Sequence, residues 1–171
     1  MVKEIPLKGD KNNPNKVALV DDEDYEKLIQ HKWRVRYHSR NFYAYRVHYD
    51  KVTKKESYLY MSREILGTVK GIEVDHKDHD ELNCQKWNMR ECSHAKNMQN
   101  ARKCISKRSI TSKYKGVSLK NDRCRIKKWR ATVRVNGKDM FLGMYKTEAE
   151  AALAYDKAAR QYYGEFAHTN F

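Results

Sequence analysis

The chain has 171 residues, with 36 Lys and Arg against 22 Asp and Glu for a formal net charge of +14; a large multidomain enzyme is excluded and a polyanionic partner is expected. Only 31 residues are Leu, Ile, Val or Phe, close to the composition of disordered chains, but 12 Tyr and 3 Trp supply buried area for small aromatic cores. No apolar stretch reaches the length of a signal peptide or membrane span, which predicts an intracellular, cytoplasmic protein with no membrane partner.

In the front half, Asp21 or Asp22 can cap a helix running to about His31, with Tyr25, Leu28 and Ile29 on one face and Trp33 following as a core anchor. Residues 42–49 alternate and residues 58–61 continue the aromatic pattern, so two paired strands are expected. Ser62 can cap a short helix over 63–66 that Gly67 ends. This half reads as α+β.

Charge is uneven along the chain. Residues 1–94 hold 18 basic and 16 acidic groups, residues 95–112 hold 5 and none, and residues 113–171 hold 13 and 6. The electrostatic footprint is therefore expected in the C-terminal half, with a boundary near residue 110. The Ser, Thr and basic segment around that boundary lacks apolar periodicity and suits a solvated tether. Cys84, Cys92, Cys104 and Cys124 form no C-x-x-C pair and read as free thiols; zinc is disfavoured, since it would need a site assembled from distant residues such as Cys84, Cys92 and His94.

Residues 71–103 concentrate three His, three Asp, three Glu and four Asn. The pattern predicts a strand over 72–75, a polar loop through Trp87, a strand over 88–91 and a helix capped by Ser93 running to about Arg102. Hydrolysis of a phosphodiester needs a base for water and a cation for the phosphate, and Asp75-His76 facing Asn97 offers both. The strand is taken to end at this pair, because successive side chains of an extended strand diverge.

Asp75-His76, Asn88-Met89-Arg90 and Asn97-Met98-Gln99-Asn100 together resemble the HNH nuclease motif of homing endonucleases. That resemblance implies a ββα-metal fold with His76 as general base, and with Asp75 and the Asn97 amide oxygen as ligands of one divalent cation. It implies Asn88 as the central Asn that braces the loop, grouped with His76 and Asn97 as the catalytic residues. Hard oxygen ligands indicate Mg²⁺, or another divalent cation such as Mn²⁺, rather than zinc. Ser62 stands where relatives often carry a His before the motif. His79, with Asp78 and Asp80, is a fallback base or ligand, and His94 a weaker one at a helix start.

Residues 113–171 predict a three-stranded antiparallel sheet with one packed helix. Asn136-Gly137 marks a hairpin, Thr147 with Glu150 a capping box, and Gly164 the helix end. Trp129, Ala131, Val133 and Val135 fall on one face of a strand, with Arg130, Thr132 and Arg134 on the other. The motifs YKGV, WRATVRV, FLGMY, AYDKAA and the closing Asn170-Phe171 resemble the Apetala or ethylene-response-factor type DNA-binding domain. That resemblance implies Lys115, Lys120, Arg130, Thr132, Arg134, Lys138 and Phe141 at DNA-facing positions. Ser118 and Asp139 replace basic residues typical of plant members, and Phe141 a Trp, so a different sequence preference is expected.

The expected organisation is an α+β region over 1–68, the HNH motif over 69–103, a basic linker over 104–112 and the DNA-binding domain over 113–171. The expected function is a homing-type endonuclease that hydrolyses double-stranded DNA. The alternative is a DNA-binding regulator that keeps an inactive HNH scaffold, and an RNA-binding accessory protein ranks below both.

Overall fold

Alternating apolar residues at the front of the chain build a hairpin. In the computed structural model, which describes residues 1–38, 40–103, 112–120, 126 and 128–171, β1 (Val2–Leu7) pairs antiparallel with β2 (Lys16–Asp21), burying Ile5, Leu7, Ala18 and Val20 on one side. Asp21 takes the cap position of α1 (Asp22–Leu28) without bonding to the helix. Its carboxylate instead accepts from Gln85 Nε2 at 3.1 Å and the Lys86 amide at 2.7 Å, which fastens a later loop to the end of β2.

A second sheet, ordered β3-β4-β5, follows from β3 (Arg34–His38), β4 (Asn41–Asp50) and β5 (Lys55–Tyr60). Its inner side carries Val35 and Ala44 into a core shared with Ile5, Leu28, Trp33, Met61, Leu82 and Met89. The Trp33 indole donates to the Leu28 carbonyl at 2.8 Å, so the ring is buried without an orphaned donor. The helix α2 (Met61–Leu66) is capped at Tyr60 and not at Ser62, which is buried in its first turn; Gly67 ends it at φ 68°.

Strand β6 (Glu73–His76) pairs antiparallel with β7 (Met89–Cys92), and α3 (His94–Asn100) follows, with the Lys96 amide on Ser93 Oγ at 3.4 Å. The pairing of His76 with Met89 carries β6 one residue past its expected end, β7 starts one residue later, and α3 stops two residues earlier. Backbone bonds from Leu19 to Leu82 and from Cys84 to Leu19 seat the 77–88 loop beside β2.

The chain divides into Met1–Asn97 and Met98–Phe171, within α3. The second unit has a sheet ordered β10-β9-β8, from β8 (Val117–Leu119), β9 (Trp129–Val135) and β10 (Lys138–Tyr145). One face packs on α4 (Glu148–Tyr163), whose capping box of Thr147 and Glu150 forms in full. Ala131, Ala151, Ala152 and Ala159 are fully buried at this contact, small enough to bring helix and sheet close. Asp156, fully buried, accepts from the Asn170 and Phe171 amides and from Asn170 Nδ2, closing the C-terminal segment against α4. The linker residues 104–111, and Cys104 and Cys124, lie outside the described residues.

Candidate functional site

The second sheet, α2, β6 and α3 enclose a cavity of about 260 Å³, walled by His38, Tyr43, Tyr60, Ser62, Arg63, Glu73, Val74, His76 and Asn97. His76 comes from the end of β6 and is 5% exposed. Burial pushes its imidazole pKa down, against the carboxylates of Asp78, Asp75 and Asp80, which favours the neutral ring that can accept a proton. Asn97, one turn into α3, donates through Nδ2 to Glu73 Oε2 at 2.7 Å. A carboxylate only accepts, so this bond turns the Asn97 amide oxygen away from Glu73. Burial of Glu73 is outweighed by the Asn97 bond and by His94, whose Nδ1 meets Oε1 at 2.9 Å, so the carboxyl is held below its usual range.

Of the expected site residues, His76 and Asn97 share this cavity, and Ser62 faces it from the place where a His was the family expectation. Asp75 is not among its lining residues. Because β6 stays extended, Asp75 and His76 diverge, and Asp75 Oδ2 receives Arg90 Nε and Nη2, both at 2.7 Å. Asn88 does not line the cavity either. Fully buried, it donates to Asp78 Oδ1 at 2.9 Å and the Asn83 carbonyl at 2.8 Å, and accepts from the Asp78 amide at 3.1 Å, so it braces the 77–88 loop. Asp78 is occupied by that loop, and His79 turns away at a left-handed position, φ 61°. Sequence reasoning missed Glu73, Tyr43, Tyr60 and His38. Glu73 lies one strand period before Asp75 and so was open to discovery, whereas the others reach the cavity through tertiary packing.

Among the described residues no group of three or more His, Cys, Asp or Glu is arranged to hold a metal ion. Cys84 and Cys92 are free and buried, and burial raises the Cys84 thiol to about 12, which makes it a poor thiolate ligand. The cation suggested by sequence would instead rest on one carboxylate and one amide, Asp75 and Asn97. Of these two, Asn97 lines the cavity with its amide held by Glu73, whereas Asp75 is engaged by Arg90 outside the cavity lining, so the structure does not bring both to that cavity.

The open face of the C-terminal sheet presents Arg130, Thr132 and Arg134, opposite in sense to the buried Ala131 and Val133. The Arg130 guanidinium lies 5.4 Å over the ring of Phe141, which is 55% exposed and pairs with Thr132. Lys120 is exposed at the end of β8 on the same side by alternation. Two expected members depart from this face. Lys138 pairs with Val135 and shares the helix-side parity, and Lys115 turns inward, its ammonium donating to the Gln99 and Ala101 carbonyls, both at 2.6 Å. Burial lowers the Lys115 pKa to about 8.

No family model matches the chain. Curated relatives are similar to it over a minority of its length: the ethylene-responsive transcription factor WRI1 of Arabidopsis thaliana is 48% identical over 62 residues, covering 35% of this chain and 14% of the relative. From the same plant, dehydration-responsive element-binding protein 2D is 51% identical over 45 residues, 25% of this chain and 22% of the relative. An AP2-like ethylene-responsive transcription factor is 48% identical over 62 residues, 35% and 17%. The chain thus spans less than a quarter of the length of these relatives.

Proposed function

We propose that the chain is a DNA-binding protein whose C-terminal sheet positions it on a duplex and whose front unit hydrolyses a phosphodiester bond. Support for the first part comes from the open face of Arg130, Thr132, Arg134 and Phe141, together with relatives whose names are those of transcription factors and an element-binding protein. Guanidinium forks on a narrow sheet suit phosphates and guanine edges in the major groove.

The observation that carries the second part is the shared cavity of His76 and Asn97. His76, kept neutral by burial, would take the proton of an attacking water. The Asn97 amide oxygen would be a ligand of the divalent cation, which when bound neutralises charge on the phosphate and leaving oxygen. Glu73 fixes the orientation of Asn97, and Asn88 keeps the loop after His76 in place.

The test is nicking of supercoiled plasmid by wild type, His76→Ala and Asn97→Ala, with Mg²⁺ or EDTA. Metal-dependent nicking that falls about a hundredfold or more on His76→Ala supports hydrolysis with these residues. A regulator with an inactive scaffold is the second reading, favoured by the transcription-factor relatives and by Ser62 at the cavity wall. Wild-type protein that binds DNA and leaves it uncut with Mg²⁺ would establish that reading instead.

A further inference from the structure

We infer that the outer face of β3-β4-β5 is a second DNA-binding surface, which seats the backbone of a duplex beside the cavity. The inference rests on the DNA-binding reading above. Register fixes which side chains share this face: Arg34 pairs with Tyr45, Arg36 with Tyr43, Tyr45 with Tyr60 and Val47 with Tyr58, while Val35 and Ala44 take the opposite side into the core. The outer face therefore presents Arg34, Arg36 and five tyrosines, 43, 45, 49, 58 and 60.

Four of the rings form two edge-to-face pairs, Tyr43 with Tyr60 at 6.0 Å and Tyr45 with Tyr58 at 5.5 Å. Arg36 lies 5.8 Å over Tyr58 and donates to the Tyr60 hydroxyl at 3.4 Å. Tyr58 is nevertheless 57% exposed, and Arg34 is exposed. Aromatic residues of this size normally lie under another element; here Tyr43 and Tyr60 are met at one end of the face by the cavity wall, where Asn41 donates to Glu81, while Tyr58 stays open.

Charge selects the occupant. Glu56, at the far end opposite Tyr49, is the one acid on this face among the described residues of the three strands, so a polyanion fits it. The paired ring faces are engaged by one another and by Arg36, which leaves phenol hydroxyls and guanidinia, donors suited to phosphate oxygens, rather than free platforms for unstacked bases. Arg34 and Arg36 stand one strand period apart, about 6.6 Å, a spacing that allows each to meet its own phosphate. Continuity gives the surface its use: Tyr43 and Tyr60 belong to it and also wall the cavity of His76 and Asn97, so a strand lying along it leads into that cavity.

The test uses the full chain, a random-sequence duplex of about 40 base pairs and EDTA, so that binding is read without any cutting. Wild type, Arg34→Gln/Arg36→Gln and, as a parallel arm, Arg130→Gln/Arg134→Gln are titrated across salt concentrations, with folding checked by circular dichroism. The expected result is a salt slope shallower by about 1.8 for the front pair, about 0.9 for each phosphate that is no longer neutralised. If Arg36, through its bond to Tyr60, proves necessary for folding, Arg34→Gln alone should lower the slope by about 0.9. An unchanged slope in folded front variants, while the C-terminal pair loses its share, overturns this inference and leaves the DNA reading intact. Wild-type protein that ignores the duplex at low salt sinks both. Tighter binding to the single strand, with the front pair affecting only that complex, replaces the duplex as occupant.

Discussion

Glu73 holds Asn97 by a bond that only a carboxylate can impose in one sense, since its oxygens accept and never donate. Glu73→Gln substitutes an amide that can bond either way, and the Asn97 oxygen is no longer fixed. The cation concentration needed for half-maximal nicking should rise about 10- to 100-fold, with the rate at saturating cation close to wild type. An unchanged cation dependence would remove Glu73 from any positioning role. His168 gives a second residue-level expectation. Burial first, then Lys115 and Arg102, push its imidazole below the ordinary value, with Asp156 opposing. As pH falls through about 6.5 the unfolded chain binds this proton before the folded one does, so stability is complete above that pH and is lost below it. Thermal melts at about pH 7.5 and about pH 5 should therefore show a drop that is smaller in His168→Asn, and equal drops would refute the assignment. His76 and Asn97 were legible in the sequence because their order and spacing are local. The contacts of Arg90 with Asp75 and of Glu73 with Asn97 were not, since they depend on strand register and on where α3 lands, although Glu73 itself stands one strand period before Asp75.

Whole elements were legible where a pattern and its stop signal coincide, as in the β9-β10 hairpin at Asn136-Gly137 and the Thr147 capping box of α4. The strands β1, β2 and β3 were missed: Pro6 weakens the first as a strand and with it the hairpin that pairs β2, and β3 is a short continuation of the Trp33 anchor. The start of α2 was displaced because Tyr60 ends β5 directly at the helix and Ser62 is drawn into the cavity wall. Close packing of elements sets its own test at Gly116, which stands at φ 74° just before β8. A Cβ there would lie 1.9 Å from Cδ2 of Tyr155 on α4. Gly116→Ala combines backbone strain with overpacking and should cost about 3 kcal/mol or more, read as a lower urea midpoint for the C-terminal unit. A midpoint within error of wild type would mean that β8 and α4 are not held at this distance.

Formal charge over the chain placed the electrostatic footprint in the C-terminal half, yet sequence sums cannot show that a near-neutral front half sets Arg34 and Arg36 side by side on one sheet face. The two units each have a core built from their own residues, so fragments 1–103 and 98–171 are expected to fold separately. Both should bind a random duplex at low salt, each with a salt slope below that of the full chain, because each neutralises its own set of phosphates. Discrimination between sequences should remain only in 98–171, whose sheet can reach base edges, while the front face meets backbone alone. Linking two weak sites raises overall affinity, so the full chain should exceed either fragment by about a hundredfold or more where the linker lets both engage one duplex. If 1–103 bound as tightly as the full chain, the C-terminal sheet could not be the reader; if 1–103 did not bind at all, the arginine and tyrosine face would lose its role and the charge asymmetry along the chain would account for the footprint by itself.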